Sequence, residues 1–389
     1  MRMFSSFMRI THKWPRFGHA LLAFCIVFAY GVAVGRLHLP PYSALKVVYT
    51  TVASLVNGTP DSPPTYAPTT QPGLAYIERE GSPSSLHFPD NLETIEELNF
   101  WQDTRRLLFS QRMLYPLTGS VTIDRDQPVR LSSYSQQRCT VLLDGIPEFS
   151  FYRLSPHGDA DLLPALAVFM GHGYINQLLT DPNSYQRAAA KTFAEAGFIV
   201  YVMENIGMTP HDNNHLCIDQ ALRMTSRGWY HLLFAHQRIM LDEMLSDPRI
   251  DKKRIGAAGV STGGLLALTA LVQEPQISAA SIQGIFGSMR ISFVRDRKHH
   301  CSCGAIPGLL PEFDLPEMVL VSMPRSLHIA NGEHDGFPPE EASRVIEQLK
   351  PIMQHFGFTA PHFTIHPEAH TFDVGNALIH FRQAFDLHR

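Results

Sequence analysis

Apolar and polar residues change rhythm along this chain, and each rhythm predicts a different element. From Gly18 to Gly35 the chain is apolar and carries no Asp, Glu, Lys or Arg. It lies near the short end of the ~17–25 residues that span a bilayer, which predicts a transmembrane helix over 18–35. Residues 57–72 are rich in Pro and Thr, so they read as an extended, poorly packed linker that closes a juxtamembrane segment, 36–72. Within 73–160, Asp90 or Asn91 caps a helix that runs to about Met113, with Glu93 placed for a capping box. Period-two alternation then marks strands at Val121–Ile123, Val129–Leu131, Thr140–Leu143 and Phe149–Leu154.

Past Asp161 strands and helices alternate. Buried-strand runs fall at Leu166–Met170, Phe198–Val202, Ile255–Val260, Ala279–Ile285, Ser326–Ala330 and His362–Ile365. Helical patterns cover Ser184–Ala196, stopped by Gly197, and Trp229–Leu245, and a terminal helix begins near Thr371. Strands separated by helices of this length form a mostly parallel sheet covered on both faces. The expected fold is therefore α/β: an antiparallel N-terminal portion (73–160) leading into a parallel core (161–389), both preceded by the membrane helix.

The N-terminal flank sets an orientation. Arg2, Arg9, Lys13 and Arg16 precede the apolar run, against Arg36 and Lys46 after it, so residues 1–17 face the cytoplasm and the body lies outside. Cleavage as a signal peptide at Gly31-Val32-Ala33 competes with an uncleaved anchor, and would leave the body secreted. A net charge of −4 and a pI of about 6.6 offer nothing to nucleic acid. Five cysteines are present, with Cys25 in the apolar run. Cys139, Cys217, Cys301 and Cys303 permit a disulfide, and their spacing does not choose a pairing.

The chemistry centres on Gly259-Val260-Ser261-Thr262-Gly263, the chain's only Gly-x-Ser-x-Gly. A strand before it and a helical run after it make a nucleophile elbow, in which side chains at Gly259 or Gly263 would collide with neighbouring backbone. A serine hydroxyl needs a base, and the base an orienting carboxylate. Asp335 and His370 follow the next suitable strand ends, so Ser261, Asp335 and His370 stand in the chain order Ser, Asp, His. Glu333 competes with Asp335, and His366 and His334 with His370. The oxyanion hole draws on the backbone N–H of Thr262, and Gly171-His172-Gly173-Tyr174 after an earlier strand provides the second N–H, from Tyr174. Two clusters hold metal-type ligands: 299–303, with His299, His300, Cys301 and Cys303, and 211–217, with His211, Asp212, His215 and Cys217. Neither has paired ligand spacing, so the reading is no metal and no cofactor, with these loops shaping a pocket or holding a disulfide.

Together these motifs resemble the α/β-hydrolase superfamily over roughly Leu163 to Arg389. The stretch Cys303-Gly304-Ala305-Ile306-Pro307-Gly308-Leu309 through Phe313-Asp314, then Met323-Pro324-Arg325-Ser326-Leu327, is similar to dienelactone-hydrolase-like and acetyl-xylan-esterase-like members. The resemblance implies Ser261 as nucleophile, Asp335 as acid, His370 as base, and cleavage of a carboxylic ester. The nucleophile here is serine rather than the cysteine of dienelactone hydrolase, which implies ester rather than lactone hydrolysis. The expected partners are a small-molecule or carbohydrate-linked ester and the membrane, with no nucleic acid. A thioesterase or peptidase with the same triad, or a silent membrane-anchored binding protein, are the other readings.

Overall fold

The computed structural model describes residues 88–89, 92–158, 162–209, 213–295, 300–310 and 312–387. All fall within one compact unit that begins at Pro72. The expected transmembrane helix at 18–35, its basic flank and the linker at 36–72 lie outside the described residues. Among the described residues no helix is long and apolar enough to cross a membrane.

The first described helix, α1 (Ile95–Met113), begins at Thr94, not at Asp90 or Asn91, which lie outside the described residues. Thr94 Oγ1 accepts from the N–H of Glu97 at 3.2 Å while the Glu97 carboxylate accepts from the N–H of Thr94 at 3.0 Å. The box needs a hydroxyl at the cap and a carboxylate three residues on. Thr94 and Glu97 satisfy that spacing, so the helix starts there. Its Gln102 side chain donates to the carbonyls of Leu320 and Met323, which fixes α1 against the core.

Next come β1 (Val121–Arg125), β2 (Val129–Arg130), β3 (Tyr134–Leu143) and β4 (Ile146–Pro156), an antiparallel meander. The chain continues through β5 (Leu163–Phe169), α2 (Asn176–Leu179), α3 (Ala189–Glu195) and β6 (Ile199–Met203). Then follow α4 (His215–Arg223), α5 (Trp229–Ser246), β7 (Ile250–Val260), α6 (Thr262–Gln273) and β8 (Ala279–Gln283). A π-helical turn (Arg290–Arg295) and a 3₁₀ turn (Ser302–Gly304) precede α7 (Leu315–Ser322), β9 (Ser326–Gly332), α8 (Pro339–His355), β10 (His362–His366) and α9 (Val374–Ala384).

These strands form one sheet in the order β1-β3-β4-β6-β5-β7-β8-β9-β10, with β2 on the outer side of β3. Every pair from β6 to β10 is parallel, and β4 joins β6 antiparallel. The expected antiparallel portion and parallel core are both present. β5 and β7 lie at the centre, and β5, β6, β8 and the second half of β7 (255–260) are almost wholly buried, as a sheet covered on both faces requires. Helix α6 is buried from Thr262 to Val272, which matches its uninterrupted apolar sequence.

One helix is shorter than its pattern. The helix expected over Ser184–Ala196 occupies only Ala189–Glu195, because Arg187 and Ala188 take left-handed φ values of 54° and 48°. Ser184 Oγ donates to the carbonyls of Gln177 and Asp181, and Gln186 turns inward to the loop after β5. The residues before Ala189 thus support that loop instead of extending the helix.

Candidate active site

Ser261 sits at the end of β7 with φ 61° and ψ −127°, a conformation L-residues rarely adopt. Its own N–H donates to the Gln283 carbonyl at 2.9 Å, which fixes the turn to the neighbouring strand. The flanking glycines are required by contact. A Cβ at Gly259 would lie 2.1 Å from the Gly263 carbonyl oxygen, and one at Gly263 would lie 2.0 Å from that of Phe169. Backbone cannot yield as a side-chain tip can, so both positions exclude any side chain as a matter of packing. Thr262 is the first residue of α6, where a helical N–H has no intrahelical acceptor.

Asp335 and His370 meet. His370 Nδ1 lies 2.9 and 3.0 Å from the two Asp335 oxygens, with the Asp335 side chain fully buried and the His370 side chain 37% exposed. The difference in exposure suits the two groups: a buried carboxylate orients the ring, and the ring keeps a face for a reactant. A Cβ at Gly284 would lie 3.1 Å from both His370 Cε1 and Val260 Cγ2, which puts the ring over Gly284 and near the side chain of the residue before Ser261. No hydrogen bond joins Ser261 Oγ to His370. Glu333 and His334 point to solvent, and His366 is buried with its Nε2 unpartnered, so none of the rival residues takes part in this pair.

The Gly171-His172-Gly173-Tyr174 loop passes directly over the end of β7. A Cβ at Gly171 would stand 2.8 Å from the Val260 carbonyl oxygen and 2.1 Å from the Tyr185 hydroxyl. Gln186 accepts from the Gly171 N–H at 2.9 Å, and Asn205 donates to the Met170 carbonyl at 3.1 Å. The half-buried Tyr174 lies just beyond, at the start of the turn into α2.

Three positioning groups, Tyr185, Gln283 and Tyr230, escaped sequence reasoning. Tyr185 stacks on the His370 ring (centroids 5.6 Å apart, planes at 20°) and donates through its hydroxyl to the His172 carbonyl at 2.6 Å. Burial pushes that phenol up, so it remains a donor. Gln283 holds the backbone of Asp373 with both ends of its amide, tying the loop that carries His370 to β8. Thr262 Oγ1 lies 2.8 Å from both the Tyr230 hydroxyl and His172 Nδ1, which links the elbow to the glycine loop. Nothing in the sequence near Tyr185, Gln283 or Tyr230 forms a motif, so no local signal could have picked them out.

Beyond His172 lies a second group of side chains. His172 Nε2 is 3.2 Å from Cys303 Sγ, Cys303 Sγ is 3.0 Å from Cys301 Sγ, and Cys301 Sγ is 3.6 Å from His215 Nε2. The Cys303 thiol donates to Cys301 and pulls the Cys301 thiol down, while the same contact, with burial, pushes Cys303 up. Cys139 is buried in β3, Cys217 is exposed, and all four cysteines are free. The disulfide left open by the sequence is therefore not formed.

A cleft of about 610 Å³ opens beside the His370 loop, lined by Arg187, His366, Glu368 and Thr371 among others. It contains none of Ser261, Asp335 and His370. Volume alone carries no chemistry, and the strained serine with its neighbouring acid–base pair marks the candidate site more specifically.

No protein-family model matches the sequence, and no curated protein matches it. Solved structures do. A candidate acetyl xylan esterase from Bacteroides fragilis superposes with a TM-score of 0.64 at 15% identity, over 77% of this chain and 82% of that one. A CE15 glucuronoyl esterase from Teredinibacter turnerae gives 0.57 at 15% identity, over 84% and 94%. Acetyl xylan esterase 1 from Thermoanaerobacterium gives 0.51 at 14% identity, over 76% and 99%. Taken with the strand order and the strained turn at Ser261, this likeness shows that the chain has the α/β-hydrolase fold.

Proposed function

We propose that the protein is a serine hydrolase that cleaves a carboxylic ester, carbohydrate-linked by analogy with its structural neighbours. The observation that carries the reading is the Asp335–His370 hydrogen bond at 2.9 Å beside a serine in strained elbow geometry. In the proposed reaction Ser261 Oγ attacks the ester carbonyl while His370 Nε2 takes its proton. Asp335 accepts from Nδ1–H, which fixes the tautomer and stabilises the imidazolium. The developing oxyanion is held by the backbone N–H groups of Thr262 and Tyr174, the first helped by the N-terminal end of α6. The tetrahedral intermediate collapses, the alcohol leaves with the proton from His370, and water repeats the sequence on the acyl-serine. None of these steps uses a cofactor.

The neighbours named above are esterases of acetylated xylan and of glucuronoyl esters, and this sets the first substrates to try. Labelling of the folded protein with a fluorophosphonate probe, followed by mass spectrometry, is expected to modify Ser261. Turnover should then appear on acetylated xylan oligosaccharides or methyl glucuronate. Folded protein without label would remove the hydrolase reading in favour of a binding protein. Label without ester turnover, but with cleavage of an acyl thioester or a peptide, would change the substrate class.

We further propose that residues 18–35 anchor the chain in a membrane with the hydrolase body outside the cytoplasm. The support is the uncharged run and its basic flank. Retention of the full chain in alkali-washed membranes is the expected result, and release into the soluble fraction would overturn it.

A further inference from the structure

The side chains beyond His172 form a group that the hydrolase chemistry does not use. His172 comes from the loop after β5, His215 is the first residue of α4, Cys301 caps the 3₁₀ turn and Cys303 lies within it. One ligand-type atom from each lies within 4.8 Å of all the others. We propose that His172, His215, Cys301 and Cys303 form a closed four-ligand site for a zinc ion, which pins the glycine loop beside Ser261 to the 301–303 turn.

The donor set fits the ion. Two thiolates and two imidazoles are a usual complement for structural zinc, with Zn–S of about 2.3 Å and Zn–N of about 2.0–2.1 Å. A tetrahedron with those bonds has edges of roughly 3.3–3.8 Å. The 3.6 Å contact lies within that range, and the 3.2 Å contact and the two sulfurs at 3.0 Å each need to open by less than about 1 Å. Four protein ligands leave no open position, so the ion would organise structure and not act as a Lewis acid.

The surrounding contacts orient the ligands before any ion arrives. His172 Nδ1 lies 2.8 Å from Thr262 Oγ1, so the other nitrogen, Nε2, is the one turned to the sulfurs, as metal-bound histidines require. Trp229 packs against both imidazoles, at 5.9 Å from His172 and 5.2 Å from His215. Arg223, held by the buried Asp219, donates to the carbonyls of Ser302 and Ala305 and shapes the turn that carries both cysteines. His215 turns its Nε2 to Cys301 Sγ at 3.6 Å, while its Nδ1 is buried without a hydrogen-bond partner, so His172 is the better oriented of the two imidazoles. In the bound state both sulfurs are thiolates, and binding releases to solvent whatever thiol protons they still carry.

The site reaches the proposed reaction through His172. Its ring bonds to the residue after Ser261, and its carbonyl accepts from Tyr185, the partner of His370. A filled site would hold the loop that supplies Tyr174. This consequence rests on the hydrolase reading, whereas the site itself does not.

The test is metal analysis of the full chain purified without chelator, where we expect about one zinc per chain. Cys303→Ser and His215→Gln should lose the metal, and Cys217→Ser, an exposed thiol outside the group, should keep it. If the first two variants do not fold, the wild-type chain is stripped with a zinc chelator and refilled with cobalt(II). Thiolate-to-cobalt charge-transfer absorption with tetrahedral d–d bands is expected. Absence of those bands, full zinc retention in a folded Cys303→Ser, or a metal-free chain lighter by two hydrogens through a Cys301–Cys303 disulfide would each overturn the proposal. Loss of metal with an unchanged rate of fluorophosphonate labelling would overturn the link to Ser261. Normal zinc in a chain that never labels would leave the site standing and remove the hydrolase.

Discussion

The two sides of Thr262 are built in different ways. On one side, Ser261, Asp335 and His370 each follow a strand end or the short loop beyond it. Their positions depend on how parallel strands finish and on glycines that allow backbone to approach backbone. On the other side, His172, His215, Cys301 and Cys303 come from a loop, a helix start and a short turn up to 131 residues apart, joined through side chains. The strand-end side is rigid by construction. The loop side is held by a few polar contacts, through Tyr185, Thr262 and Arg223, and should yield to smaller perturbations.

The strongest break in this comparison is chemical. Ser261→Ala should lower ester turnover by about 10³-fold or more, since a nucleophile cannot be replaced by the binding energy that remains. Its melting temperature should stay close to that of the parent, and unchanged turnover would end the assignment. Second is Gly263→Ala. The added methyl meets the Phe169 carbonyl oxygen at 2.0 Å, and we expect a loss of roughly 3 kcal/mol or more in denaturant unfolding, or no folded protein. A stable alanine variant would show that the strand-end side is more compliant than its contacts imply.

Acid should act on the same side. His328 is fully buried on β9, the strand that leads to Asp335, between Ser281 and Thr364 hydroxyls at 2.9 Å. Burial pushes its imidazole from 6.5 down to about 3, so the folded state favours the neutral ring. A depressed folded value means that its contribution is complete above 6.5 and is lost as pH falls from there toward 3. The loss is on the order of 5 kcal/mol across that window. Denaturant unfolding at descending pH checks it, with His328→Gln expected to flatten the slope. His380, lowered to about 4 by burial, should add to the effect with the same sign.

The smallest expected effect tests the loop side. Tyr185→Phe keeps the ring over His370 but removes the donor to the His172 carbonyl. We expect a loss of about 1 kcal/mol in stability and roughly fivefold in kcat/KM. A larger fall in kcat/KM than in stability would mean that the hydroxyl positions the loop and is not merely one more packing contact.

Most of the fold was legible because its signals are local. Buried strands read as β-branched and apolar runs, and the switch from alternation to strand–helix units near residue 161 marked the change from antiparallel to parallel pairing. Ser261, Asp335 and His370 were legible for the same reason: strand-end loops and glycine spacing are short-range features. The starts of helices were less so. Ser184 to Ala188 carries a helical pattern, yet the side chains of Ser184 and Gln186 find better partners in the loop after β5, and two residues turn left-handed. Thr94 was passed over as a cap because several cap-type residues crowd the same stretch, and only the reciprocal bonds with Glu97 choose among them.

By itself, then, the sequence determined the α/β order of elements, the single Gly-x-Ser-x-Gly turn and the residues able to serve it, because periodicity, turn chemistry and glycine requirements act over a few residues. Only the tertiary structure decided that Asp335 rather than Glu333 meets His370, that Tyr185 and Thr262 tie the glycine loop to the elbow, and that two histidines and two cysteines converge. The physical reason is that these contacts are made by side chains from elements whose mutual placement is set by burying one common core. Spacing along the chain does not encode that distance.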